Sequence, residues 1–327
     1  MQIKVAVETA DVLNFAVDVL ALKYAQALHG LDKVVAGLLS QEGDLLDSLP
    51  EVGEHLLIHT RGKFKAKSVL FIGVVELVDF RYREIREFSR QALTYLADVA
   101  PDTRHLCLTL HGAGYGLDET EAFESEVAGL LDAIRNGSFP KGLERITIVE
   151  ARADRAKRLR NILLRLLPTG VISSAGEGPI SGVSKVGSER LRTAASEDKP
   201  SIFVAMPFDE KMNDVYHYGI QNAANAAGFV CERVDMAPYT GDIMDRVRKR
   251  ISEAVIVIAD LTGANPNVYL EVGYAWGCGK QTVLLAQSTD DLKFDLKGQK
   301  CLAYKNIKDL EDSLRKELQG LRASGLI

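Results

Sequence analysis

The sequence predicts an α/β protein built from two Rossmann-like or flavodoxin-like three-layer domains with mostly parallel sheets. Three observations predict it. Short apolar runs alternate with stretches at helical spacing. The alternation stops over residues 169–200, which are rich in Gly and Ser and contain Pro179 and Pro200, and then restarts. Several apolar runs end in a polar or Gly-rich loop that opens a helix, the way an open α/β sheet builds sites at its strand ends. The expected division is 1–168, a linker 169–200, and 201–327; 327 residues at 46% hydrophobic suffice for two cores.

In chain order, 3–7 reads as a first strand, 12–24 as an apolar stretch, and 25–39 as a helix with Leu28, Leu31, Val35 and Leu38 on one side. Strands at 55–60 and 68–73 flank the basic turn 61–67, and 85–99 is a helix. A strand at 106–110 runs into His111-Gly112-Ala113-Gly114-Tyr115-Gly116, followed by a helix over 121–134. A strand at 145–150 precedes the basic helix 151–167, with Leu159, Leu163 and Leu166 inward and the charges on a solvated face. After the linker come a strand (202–205), a helix (212–227), a strand (229–234) and a helix (240–254) capped by Thr240 or Asp242. A strand over 255–259 leads to the helix bearing Glu271, and strands at 282–286 and 299–304 precede a closing helix, 307–321.

A net charge of -5 gives no global attraction to nucleic acid, so a nucleotide ligand needs a local pocket and direct nucleic-acid binding is not expected. The four cysteines form no CxxC pair and read as buried, reduced thiols; no metal-ligand cluster is visible. The start lacks a signal-peptide pattern and no apolar run reaches membrane-span length, so a cytoplasmic location and no membrane partner are expected.

The second domain is organised around 255–280. Its strand breaks at Asp260, a carboxylate that either binds ligand or caps the turn. The loop holds Asn265 and Asn267, amides able to hydrogen-bond ribose hydroxyls. The helix carries one acid, Glu271, in its first turn or so, where the positive helix end would help keep it ionised; Tyr274 and Ala275 lie on its face. The strand from Ser201 ends in Met206-Pro207-Phe208-Asp209, with Phe208 a ring for packing or stacking. Tyr239, Asp242 and Asp235 sit where loops could close over a ligand, as residues of any loop would, Trp276 and Cys278 read as core, and His217 as a partly exposed helix residue. An ionised carboxylate beside a sugar pocket suits cleavage of an N-glycosidic bond, because an anion stabilises or attacks the oxocarbenium-like centre. In NAD the leaving nicotinamide is already cationic, so its departure needs no metal or strong general acid, and with NAD as a substrate no cofactor is expected.

FVAMPF, ADLTGANPN and YLEVGYAWGCGK, over about 201–287, resemble the nucleoside 2-deoxyribosyltransferase and TIR-like superfamily. The resemblance implies a catalytic role for Glu271, NAD hydrolysis or cyclisation or deoxyribose transfer as the reaction, and a homo-oligomer or filament that completes the site. VAVETADV, GEHLLIHTRGKFKAKSVLFIG and LTLHGAGYGLDETEAF, over about 1–167, resemble the macro-like N-terminal domain of leucyl aminopeptidases; the metal-binding peptidase domain of that family is absent. This implies an ADP-ribose-like ligand, with Thr9, Asp11 and the Gly112–Gly116 loop as its contacts. A CARF-type sensor, reading cyclic oligoadenylate in CRISPR systems, is the alternative for this domain. Together these imply an NAD glycohydrolase of antiviral defence gated by a nucleotide second messenger. The alternatives are a deoxyribosyltransferase or hydrolase of nucleosides or nucleotides, and a non-catalytic nucleotide-binding protein.

Overall fold

Continuous apolar runs become the inner strands of two separate sheets, because strands covered on both faces have no polar side to alternate with. The computed structural model describes residues 2–40, 48–77, 79–112, 117–173, 181–194, 199–207, 209–233, 243–288 and 298–325. The chain falls into two units, Met1–Asp198 and Lys199–Ile327.

The first unit holds β1 (Gln2–Thr9), β2 (Val17–Tyr24), β3 (His55–His59), β4 (Ala66–Gly73), β5 (His105–Leu108), β6 (Arg145–Glu150) and β7 (Val171–Ser173). Their order is β3-β4-β2-β5-β6-β1-β7; the inner five are parallel, and β3 and β7 pair antiparallel at the borders. The stretch 12–24 thus supplies a 3-10 turn, Val12–Asn14, and a central strand, β2, whose Val19, Leu20, Ala21 and Leu22 are buried.

Among the described residues, the helices of this unit are α1 (Leu31–Leu39), α2 (Tyr82–Val99), α3 (Glu119–Arg135), α4 (Ala153–Leu166) and α5 (Lys185–Thr193). The helix expected over 25–39 starts only at Leu31, after Gly30 at φ 65°. α1 buries Val35 and Ala36 against Leu20, Leu22 and Phe71 on one face of the sheet. α3 packs closely on α2: a Cβ at Gly129 would lie 1.9 Å from the carbonyl oxygen of Arg86.

The expected linker 169–200 is corrected by two elements. β7 extends the first sheet along β1, and α5 packs on α3 and α4. Ser184 caps α5 by accepting from the Gly187 amide at 2.8 Å, and Arg190 reaches Glu124 of α3 at 2.5 Å. The basic face of α4 is likewise engaged, although Leu159, Leu163 and Leu166 are inward as expected. Arg155 pairs with Glu119 (3.1 Å) and Glu150 (3.5 Å), Arg158 pairs with Glu119 (2.8 Å), and Arg160 donates to the Val7 carbonyl (2.9 Å).

The second unit has β8 (Ser201–Ala205), β9 (Val230–Glu232), β10 (Ile256–Asp260), β11 (Gln281–Ala286) and β12 (Cys301–Ala303), all parallel, in the order β12-β11-β10-β8-β9. Numbered within the unit this is 2-1-3-4-5, the flavodoxin-like order. The expected helix 212–227 is a π-helical stretch, Val215–Gln221, running into α6 (Asn222–Ala226). These and α9 (Ile307–Ala323) cover one face, around Ile202, Val204, Ile258 and Leu285. α7 (Ile243–Glu253) and α8 (Pro266–Gly277) cover the other, around Phe203, Ala205, Val257 and Ala259. Trp276 and Cys278, expected in the core, are both exposed, because α8 turns Val268, Val272 and Ala275 inward instead. Among the described residues no helix is long and apolar enough to cross a membrane.

Candidate functional site

In the 2-1-3-4-5 order, β8 and β10 are neighbours whose following connections leave on opposite faces. By the general rule for open α/β sheets, ligands bind in the crevice outside the strand ends at such a switch point. β8 delivers Met206, buried, and Pro207, half-buried. Asp209 is exposed and accepts from the Lys211 amide at 3.0 Å, which caps the turn Glu210–Met212. Phe208, Asp235, Tyr239 and Asp242 lie outside the described residues.

At the end of β10, Asp260 is fully buried. One carboxylate oxygen accepts from the Thr262 amide (3.0 Å) and the other from the Tyr304 hydroxyl (2.6 Å). Thr262 Oγ1 in turn accepts from the Gln287 amide (3.1 Å), so three strand ends are tied together. Of the two roles open for Asp260, this geometry fills the structural one. Burial first, and then the Asp260 charge, push the Tyr304 hydroxyl well above the usual tyrosine range.

The loop then makes one 3-10 turn, with Gly263 at φ 72° and Ala264 at φ 51°. Asn265 is the N-cap of α8, its Oδ1 accepting from the Asn267 amide at 2.9 Å, and Pro266 follows at the first helical position. The Asn265 side chain thus serves the helix end, and Asn267 is exposed.

Glu271 sits in the second turn of α8 and is half-buried. Burial pushes its carboxyl up to about 7. This corrects the expectation of a carboxylate kept ionised by the helix end: the macrodipole acts within the first turn, and Glu271 lies beyond it, where desolvation governs. Three and four residues on along α8, Tyr274 and Ala275 flank Glu271 as expected, Ala275 fully buried and Tyr274 exposed. Tyr274 faces Cys278, whose side-chain hydrogen bond is the main cause raising its hydroxyl pKa.

One residue at these strand ends was missed. Arg233, directly after β9, is buried; it donates to Asn213 Oδ1 (2.8 Å) and Met206 Sδ (3.7 Å), and lies 5.0 Å from the Tyr216 ring centre. It brings a cation to the end of β8. In sequence the pair Glu232-Arg233 looks like an ordinary solvated strand end.

The first unit has a cleft of about 200 Å³ at the ends of β2 and β5, lined by Lys23, His29, Asp32, His111, Gly112 and Arg155 among others. Gly112 adopts φ 82°, and a Cβ there would come within 2.6 Å of Leu117 Cδ1. Residues 113–116, expected contacts as Ala113, Gly114, Tyr115 and Gly116, lie outside the described residues. Lys23 is buried, and burial lowers its pKa, opposed by the Asp32 charge. The Asp32 carboxylate accepts from the His29 amide at 3.0 Å. Behind the cleft, fully buried Glu126 lies 3.9 Å from His111 Nδ1.

Thr9 and Asp11 are not among the residues lining this cleft. Thr9 Oγ1 accepts from Arg160. Asp11 accepts from the Leu13 amide (3.0 Å) and Asn14 Nδ2 (2.7 Å), a local cap. Lys23, Asp32 and Arg155 were missed because they come from three distant segments joined only by the strand order. Among the described residues no group of three or more His, Cys, Asp or Glu is placed to hold a metal.

No family model matches the chain, and no curated protein matches it. Among solved structures it is similar to a macrodomain mutant of Oceanobacillus iheyensis with ADPR, at 12% identity and TM-score 0.38, over 50% of this chain and 97% of that one. It is also similar to a Trypanosoma brucei macrodomain in complex with ADP-ribose, at 17% identity and TM-score 0.39, over 49% of this chain and 69% of that one.

Proposed function

We propose that the second unit hydrolyses the N-glycosidic bond of NAD with Glu271, and that the first unit binds a nucleotide signal that switches this activity on. The observation that supports the reading best is a half-buried carboxyl, pushed to about 7, on the helix that opens at the crevice between β8 and β10. A carboxyl poised near neutrality is matched to proton transfer and charge stabilisation at working pH.

In the proposed reaction the ribose C1′–N bond breaks, and its electron pair leaves with the pyridinium, which departs as neutral nicotinamide. Ionised Glu271 stabilises the positive C1′ centre and accepts a proton from the attacking water. The products are ADP-ribose, nicotinamide and one proton, so no metal is required by the balance.

In the first unit, Lys23 in the cleft, with Gly112 at its edge, suits a phosphate-bearing ligand. The resemblance of the sequence to macro-like domains points to the ADP-ribose class, and the CARF-type alternative points to a cyclic oligonucleotide. The activated form is an assembly of several copies; the exposed Leu270, Tyr274 and Trp276 of α8 supply apolar surface for it.

The test is nicotinamide release from NAD by wild type and Glu271→Gln, with and without cyclic oligonucleotides and ADP-ribose variants. The reading holds if one ligand switches on release and the variant abolishes it. Absence of release under every condition overturns it, and base exchange on deoxynucleosides would then assign the transferase chemistry.

A further inference from the structure

A second cleft in the first unit, of about 430 Å³, lies apart from the one at the ends of β2 and β5. One wall is backbone, Gly53 and Gly73–Val75, and the other is α2 with Arg83, Arg86 and Arg90. Its size is that of small-molecule sites. The backbone wall is fixed: the Gly53 amide donates to the Gly73 carbonyl (2.9 Å), the Gly73 amide to the Glu54 carbonyl (2.9 Å), and the Tyr95 hydroxyl to the Gly53 carbonyl (2.7 Å). A Cβ at Gly73 would meet the Glu51 carbonyl oxygen at 1.8 Å, so the turn sits directly on the end of β4.

The α2 wall is charge-balanced. Arg83 pairs with Glu84 (2.9 Å), Arg86 with Asp132 (2.6 Å) and Arg90 with Glu87 (2.5 Å), and all six residues line the cleft. A ligand with net charge must break at least one of these pairs; a neutral ring need not. Arg86 narrows the chemistry further. Its Nε and Nη2 donate to Asp132 (2.6 and 3.1 Å), and its Nη1 donates to the carbonyls of Ala194 (2.6 Å) and Leu191 (3.4 Å). With that N–H edge engaged, the group it has to offer the cleft is its flat guanidinium face, which stacks on aromatic rings. The carboxylates beside it accept from ring N–H groups.

We propose that this cleft binds a neutral heteroaromatic ring of the nucleobase or nucleoside class, stacked on Arg86. Because Arg86 also holds the last turn of α5, occupancy steadies that turn. α5 is the last described helix before the second unit begins at Lys199. This goes beyond the phosphate-binding cleft at β2 and β5 and does not depend on it.

The experiment titrates the full chain with adenosine, and in parallel with inorganic phosphate, by calorimetry, and follows amide hydrogen exchange over residues 187–194. Two variants accompany wild type: Arg86→Lys, which keeps the charge and loses the flat face, and Val52→Trp, at an exposed rim position, which fills the cleft. We expect saturable binding of one adenosine, weakened at least tenfold by Arg86→Lys and abolished by Val52→Trp with unchanged melting. Exchange at 187–194 should slow at least threefold on binding to wild type. The proposal is overturned by no saturable adenosine binding at millimolar concentration, by binding equal in wild type and Val52→Trp, or by phosphate competing for the same site. Binding without slowed exchange overturns the link to α5.

Discussion

The Tyr304 hydroxyl donates to Asp260 Oδ2 across 2.6 Å, and both residues are buried. This joins the end of β10 to the segment after β12 and fixes the loop from which α8 starts. Tyr304→Phe leaves a buried carboxylate short of one donor, at a cost of about 1–3 kcal/mol. Urea unfolding of the two proteins should show a lower midpoint with an unchanged slope.

Glu271 gives a pH-dependent prediction with a definite sign. Its folded pKa is raised from 4.5 to about 7. The fold therefore favours the protonated form, and this contribution is full below pH 4.5 and is lost as pH rises through about 7. Glu271→Gln stays neutral, so it should exceed wild type in stability above pH 7 by about 1–2 kcal/mol, allowing for partial exposure, and match it near pH 4. Thermal melts at both pH values check this.

The same group should shape the proposed activity. If ionised Glu271 is the working form, kcat/KM for nicotinamide release rises with pH and levels off above a limb near 7. A profile flat between pH 5.5 and 8.5 would remove Glu271 from the chemical step.

Gly129 tests the packing that holds Arg86. A Cβ there would press to 1.9 Å from a backbone carbonyl, which has no flexible end to yield. Gly129→Ala should destabilise the first unit by about 3 kcal/mol or more. Hydrogen exchange should report the loss first in α2 and α3.

Lys23 tests the cleft at the ends of β2 and β5. Its burial lowers its pKa, so the charged form is held at a cost. Lys23→Met should weaken a phosphate-bearing ligand at least tenfold. Calorimetry with ADP-ribose and with the activating ligand of the release assay measures this.

The mostly parallel sheets were legible because strand, loop and helix recur in a fixed rhythm, and Pro266 after Asn265 marks a helix start. Other features depended on tertiary context. The central strand β2 has no alternation to read, since both its faces are covered. α5 hides in a Gly/Ser-rich stretch and is held by Arg86 and Glu124, residues far away in sequence. Asp260 looked equally suited to ligand or loop until Tyr304 came into contact with it. Trp276 looked like core because its size argues for burial, yet α8 had already filled its inner face with Val268, Val272 and Ala275.

The outermost strands of the second sheet, β9 and β12, are three residues long. Each offers about 10 Å of open main chain, too little to template a neighbouring strand, and short borders of this kind guard against edge-to-edge aggregation. The assembly proposed above would therefore run through side-chain surfaces, which a single surface substitution can abolish, rather than through main-chain pairing, which it could not.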